Sequence, residues 1–497
     1  MKNGLTLLLL LVFPSLLWAQ SGPANRDTLL DRTVTQQQAI DDLRYLRKAL
    51  EAVHPGLYRY TPKPIMDQRL DSFEQKITGT MPFYDYYRLL TALMAAVRCA
   101  HTGIYPGNGW ENHFRSKPLM FPFSVQVIKG KMYVAANLTS DTLIKPGYEL
   151  TVINGQPLPE ILHTLYALSW ADGYNETVKQ ERLNRGFFGP SYYMYIARPD
   201  SFTVACKDLQ GQPVQVTYPA VNVTAGNAAV FSNPVNKEIV RLYVNRKRPD
   251  LDLKFEEDLS TAILSIRTFG GKPARDLPKF LEKSMKEIKA KKTKHLIIDL
   301  RANPGGSDSA GVLLFTYLIS QPARFYLRQH TISDSSEYLA MSDLDAKTIK
   351  NVKQELVAEK DGTFSIKPEY AAGLPLQYPK PDHFNGKLYF LMDGGSASTT
   401  SELLAAVRAN QLGILIGEEA AGAYEGGNAG SFVNLLLPNT KMRATIPLVY
   451  YDNATGPVQV KGRGVLPDHE LPYNISDILI GVDTQKRFAL ELVRKGQ

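Results

Sequence analysis

Two short segments carry glycines and hydroxyls in a pattern suited to acyl chemistry. Asp299-Leu300-Arg301-Ala302-Asn303-Pro304-Gly305-Gly306 follows the run His295-Leu296-Ile297-Ile298. Gly394-Gly395-Ser396-Ala397-Ser398-Thr399-Thr400-Ser401-Glu402 follows Leu388-Tyr389-Phe390-Leu391-Met392. Each precedes an apolar helical pattern. A strand that ends in a glycine turn and opens a helix leaves backbone N–H groups without intrahelical partners. Such a nest stabilises negative charge. The first nest has no nucleophile, but its glycines admit a close ligand; the second has a run of hydroxyls. Together they suit an oxyanion hole beside an activated serine. Taken singly, one is an ordinary turn and the other an N-cap. Their presence on one chain favours the catalytic reading.

The elements that must position these segments fall into three stretches. With 497 residues, the chain exceeds a single core and implies several domains. After a leader at 1–19, residues 25–115 read as a helical domain. There Thr35 and Gln38 form a capping box, and Ala39, Leu43, Leu46, Leu50 and Val53 make a helical stripe that His54-Pro55-Gly56 ends. A second helix over Phe83–Val97 runs into Arg98-Cys99-Ala100-His101-Thr102-Gly103. Residues 118–222 read as short strands, and Ile144–Pro157 resembles the signature of a PDZ domain, a module that binds extended peptides at a sheet edge. A long insertion with Trp170, Tyr174 and Tyr192 makes that domain divergent. From 228 to 497, strands alternate with helices, which argues an α/β domain with a largely parallel sheet. Ligands of such sheets bind beyond the carboxyl ends of strands, where both glycine segments sit.

Composition narrows the function classes. Lys2, the apolar run Leu5–Leu17 and the small residue Ala19 make a secretory signal peptide, so the mature chain is expected to start near Gln20 and to be exported, periplasmic or secreted. No later run approaches the ~20 apolar residues of a membrane helix, so no span is expected after its removal. The formal net charge is +8, but the one basic cluster, Lys286–Lys294, reads as the solvated end of a helix, so nucleic-acid binding is not expected. Cys99 and Cys206 leave a disulfide and two buried thiols equally open. No His-Glu-x-x-His or similar spacing points to a metal site.

In this order, the segments resemble the carboxyl-terminal processing, or tail-specific, serine peptidases, a family that includes the tricorn core protease. Asp299–Gly306 matches the family's Asp-Leu-Arg-x-Asn-x-Gly-Gly, Gly395–Glu402 its nucleophile segment, and Gly464-Val465-Leu466-Pro467-Asp468 its Gly-Val-x-Pro-Asp. The resemblance implies a multidomain α/β protein: an N-terminal helical part, a β-rich PDZ-like domain and a crotonase/Clp-protease-like catalytic domain. It implies Ser398 as nucleophile, one oxyanion N–H from Thr399 and the other from Gly305 or Gly306. The processing branch uses a lysine base where this chain has Ala423. The tricorn-like branch places a histidine after the second helix, which His101 fits, and histidine suits a base near neutral pH. Two departures leave the group that orients His101 unassigned: Ala100 stands where tricorn has a serine, and Val460–Arg463 lacks its glutamate. Glu402, Glu418 and Glu419 are candidates by position alone. The expectation is an exported serine endopeptidase that acts on polypeptide through an acyl-enzyme, with no metal or cofactor. The alternative is a non-catalytic peptide- or apolar-ligand-binding protein on the same fold.

Overall fold

The computed structural model describes residues 30, 32–107, 110, 120–244, 248–456 and 460–496. The expected leader lies outside the described residues.

Helix α1 (Gln36–Val53) starts at the expected capping box: Thr35 Oγ1 accepts from the Gln38 N–H, and Gln38 Oε1 from the Thr35 N–H. Its apolar stripe is buried. Helices α2 (Lys63–Gln75) and α3 (Phe83–Ala96) follow. These helices do not close a core among themselves. Leu43, Leu50, Leu90 and Met94 share one with Val433, Leu435, Ile446 and Leu448, far downstream. The short strand β1 (Gly103–Tyr105), just after α3, pairs antiparallel with Arg443–Thr445 of that same downstream region. The turn that carries His101 is therefore tied at its far end to the C-terminal part.

Five strands, β2 (Phe123–Ile128), β3 (Lys131–Asn137), β4 (Glu149–Ile153), β5 (Ser201–Lys207) and β6 (Pro213–Pro219), form an antiparallel sheet in chain order, and a sixth, short strand, Gln156–Pro157, pairs with β4. The insertion between β4 and β5 is helical: α4 (Leu158–Ala167), α5 (Thr177–Arg182) and α6 (Phe188–Tyr195). It reaches out of its own sheet. Asn175 Nδ2 donates to the Ala420 carbonyl at 2.6 Å and Thr177 Oγ1 to the Glu419 carbonyl at 2.8 Å.

The C-terminal part runs β7 (Leu251–Glu256), β8 (Thr261–Ile266), α7 (Gly271–Ala290), β9 (His295–Asp299), α8 (Asp308–Thr316), β10 (Tyr326–Thr331), β11 (Lys387–Met392), α9 (Thr399–Ala409), β12 (Ile414–Gly417), β13 (Gly426–Leu436), β14 (Arg443–Asn453), β15 (His469–Glu470) and α10 (Thr484–Arg494). One sheet has the order β7-β8-β9-β11-β12-β15, with β7 antiparallel and every later pair parallel. Side chains alternate across a strand, so Leu264, Ile298 and Phe390 enter a core with α7, α8 and α9. Ile263, Ile297, Tyr389 and Leu391 enter another with Ala489 and Leu492 of α10. Both faces are covered, as a parallel sheet requires. The alternating pattern did not foresee a second, antiparallel sheet, in which β14 pairs with β10, β13 and β1. Cys99 and Cys206 are free, buried thiols in separate cores. Among the described residues, no helix is long and apolar enough to cross a membrane.

Candidate active site

The hydroxyls of the second glycine segment are sorted by their hydrogen bonds. Ser396 is fully buried: its Oγ donates to the Leu300 carbonyl at 2.9 Å and accepts from the Asp393 N–H at 3.1 Å. Ser401 Oγ donates to the Ser398 carbonyl at 2.7 Å. Ser398 is half-buried, and its Oγ bonds no other described group. It precedes α9 with φ +52° and ψ −132°. A non-glycine residue held there costs on the order of 1–3 kcal/mol and persists only where its surroundings fix it. The fixing is visible: Asp393 Oδ1 accepts from the Ala302 N–H at 2.8 Å and from the Gly395 N–H at 2.9 Å.

The first glycine segment is clamped to the second. The Asn303 carbonyl accepts from the Ala397 N–H at 2.9 Å, and Asn303 Nδ2 donates to the Ile266 carbonyl at 3.0 Å. Asn303 Oδ1 takes the Gly305 N–H at 2.9 Å. Of the two glycines expected to offer a donor, Gly305 has thus already spent its own. Gly306 is exposed, and among the described residues neither its N–H nor that of Thr399 has an acceptor. Gly305 serves by lacking a side chain: a Cβ there would lie 2.7 Å from Ser398 Cβ and 3.0 Å from the Thr399 nitrogen. Asp299 and Arg301 of the same segment are structural. Arg301 holds Asp299 bidentately, at 2.7 and 2.8 Å, and reaches Asp483 beyond it. Burial alone would raise the Asp299 carboxyl, but Arg301 and Arg267 hold it well below the usual range.

His101 stands on the turn after α3. The next residue, Thr102, is pinned by His54: the Gly56 N–H donates to His54 Nδ1 at 3.1 Å, so Nε2 carries the proton and donates to Thr102 Oγ1 at 2.7 Å. Burial pushes His54 down to about 4, so it stays neutral and structural. The His101 ring stacks on Phe432, with centroids 5.8 Å apart. Burial lowers the His101 imidazole, Asp172 opposes that, and Arg182 adds to it.

A buried carboxylate that no motif marks, Asp172, lies beside the His101 turn. It lies in the insertion between α4 and α5 and accepts the Ala100 N–H at 2.9 Å, while the Gly173 N–H donates to the Arg98 carbonyl at 3.0 Å. The loop therefore grips the His101 turn on its N-terminal side. The three glutamates weighed as partners of His101 are engaged elsewhere: Glu402 by Tyr326, Glu419 by Arg463 and the Gly464 N–H, and Glu418 by Gln180.

The two halves converge at Gly422. A Cβ there would lie 2.2 Å from Ser401 Oγ on the serine side and 3.9 Å from Asp172 Oδ2 on the histidine side. No hydrogen bond joins His101 to Ser398: the buried His101 Nδ1 and Ser398 Oγ both lack partners. Ala423, where the processing branch has its lysine, is buried and bridges to Gly464.

Residues 260–471 match the family described as Peptidase family S41. This part of the chain is an S41 peptidase domain. The match covers both glycine segments and makes this domain a serine-type peptidase domain; it stops short of His101 and Asp172. Across nearly the whole length, the chain is similar in fold to mature CPAF, with TM-score 0.60, 16% identity and coverage of 93% of this chain and 98% of that one. Mature CPAF complexed with lactacystin gives TM-score 0.61 at the same identity and coverage. No curated protein sequence matches the chain.

Proposed function

We propose that this S41 peptidase is an exported endopeptidase of the tricorn-like branch, with Ser398 as nucleophile and His101 as base. The observation that carries this reading is the state of Ser398. Of the three serines in its segment, it alone has a free hydroxyl, on a strained turn beside two unspent backbone donors, Gly306 and Thr399. Ser398 Oγ attacks the scissile carbonyl, and the Gly306 and Thr399 N–H groups receive the oxyanion. His101 takes the proton and returns it to the leaving amine, and water then releases the acyl-enzyme. Burial keeps the imidazole below its usual range, so it is a neutral base at neutral pH. Catalytic hydrogen bonds often tighten only with substrate bound, and the His101–Ser398 bond is assigned to that stage. The β2–β6 sheet is read as a PDZ-like domain that presents an extended polypeptide. Export rests on Lys2, the Leu5–Leu17 run and Ala19.

The open gap between His101 and Ser398 supports a second reading, a binding protein with a residual site. A fluorophosphonate probe separates the two. Under the proposal it labels Ser398, and Ser398→Ala loses both labelling and cleavage of an unfolded polypeptide. Lactacystin, found in complex with mature CPAF, is a second probe. An unlabelled wild-type chain that still binds peptides establishes the alternative.

A further inference from the structure

Behind the two oxyanion donors lies a pair of carboxyl groups that the mechanism above leaves unused. Asp308 stands in the first turn of α8 and Glu402 in the first turn of α9. Tyr451 of β14 donates its hydroxyl to Asp308 Oδ2 at 3.1 Å, and Tyr326 of β10 donates to Glu402 Oε2. Thr399 Oγ1 lies 3.0 Å from the Gly306 carbonyl oxygen and 3.2 Å from Asp308 Oδ1. A threonine hydroxyl has one proton but accepts as well. The carbonyl and an ionised carboxylate can each only accept, and one hydroxyl proton cannot serve both; the two contacts are met together when Asp308 Oδ1 carries a proton. Burial is the main force that raises both carboxyls, against the hydrogen bonds of Tyr451 and Thr399, which lower Asp308, and of Tyr326, which lowers Glu402; Asp308 raises Glu402 further, up to about 8, and Asp172 adds to it. Tyr451, Tyr326 and Thr399 are the other groups that face the pair, and among the described residues no lysine or arginine does.

Resting on the Ser398 reading, we propose that protonated Asp308 is a positioning residue of the oxyanion hole: its O–H holds the Thr399 hydroxyl, which holds the Gly306 carbonyl and so aims the Gly306 N–H. When Asp308 ionises, its carboxylate claims the threonine proton and the Gly306 carbonyl is released. The site then loosens on the alkaline side without any change in Ser398 or His101.

The rate of fluorophosphonate labelling at Ser398, followed against pH, tests this. In wild type, labelling falls as the pair loses its proton. Asp308→Ala lowers labelling by about tenfold or more on the acid side of the fall, where wild type keeps its proton, since small displacements of a reacting group cost that much, and approaches wild type above it. Asp308→Asn, whose amide is a permanent donor to Thr399, restores the rate and abolishes the alkaline fall. Tyr451→Phe removes the donor that favours ionised Asp308, so the fall moves to higher pH; it is read alone should Asp308→Asn not fold. An alkaline fall unmoved by Asp308→Asn, or by Tyr451→Phe, overturns the proposal alone. Absence of Ser398 labelling at every pH overturns the nucleophile assignment and this proposal with it.

Discussion

The serine half of the site is wired within two short segments, whereas the histidine half is assembled from four distant ones. Ser396 to Leu300, Ala397 to Asn303 and Ala302 to Asp393 are bonds between two neighbouring parallel strands' carboxyl ends. The His101 turn is held instead by His54 before α2, Asp172 in the β4–β5 insertion, Phe432 in β13 and the pairing of β1 with β14. The first arrangement can hold a strained serine because neighbouring backbone over-determines it. The second depends on long-range packing of parts that are far apart in the chain. A substitution in either half should therefore fail differently, and the expected effects run from total loss of chemistry to a loss of stability alone.

Ser398→Ala has the largest expected effect, a loss on the order of 10⁴–10⁶ in kcat with the fold intact by circular dichroism. Retained turnover would show that the serine half has been misread. Asp172→Asn should cost about 10²-fold in kcat/KM. It also moves the acid limb of the pH profile to lower pH: the Asp172 carboxylate raises the His101 imidazole against burial, and without it the imidazole protonates only at lower pH. A limb that stays put would remove Asp172 from the histidine half. Gly422→Ala, which drives a methyl into Ser401 Oγ at the seam, should lower kcat/KM about tenfold with little change in denaturation midpoint. An unchanged rate would mean that the halves do not communicate there. Ser396→Ala is smallest for catalysis. It deletes two buried hydrogen bonds and should cost about 1–3 kcal/mol of stability, read by denaturant titration, with kcat changed far less than in Ser398→Ala.

That same contrast explains what was legible in the sequence. Local signals sufficed for the Thr35 capping box and for the strands that lead to Asp299 and Met392, because each is decided within a few residues; the family resemblance alone favours Ser398 over Ser396 and Ser401. The sequence also drew attention to Ala423 and to the His101 turn, but not to what holds that turn. Asp172 sits in an insertion whose helices show no motif, and its role exists only because the insertion leaves its own sheet to contact Arg98, Ala100 and Ala420. The antiparallel β13–β14 pair was equally hidden. Its alternation, regular over Val433–Leu436, breaks at the register shift between Ala429 and Phe432, so that Val433, Leu435 and Ile446 enter the N-terminal helices' core while Ala429 and Tyr451 enter that of the parallel sheet. The spent N–H of Gly305 could not be read either, for it depends on where the Asn303 side chain turns.

The central claim is that these two halves act as one site, and the labelling rate of Ser398 in His101→Ala at neutral pH tests it most directly. With His101 as the base, the fluorophosphonate reacts at least on the order of 10²-fold more slowly than with wild type. An unchanged labelling rate in that variant would contradict the account and leave Ser398 without its base.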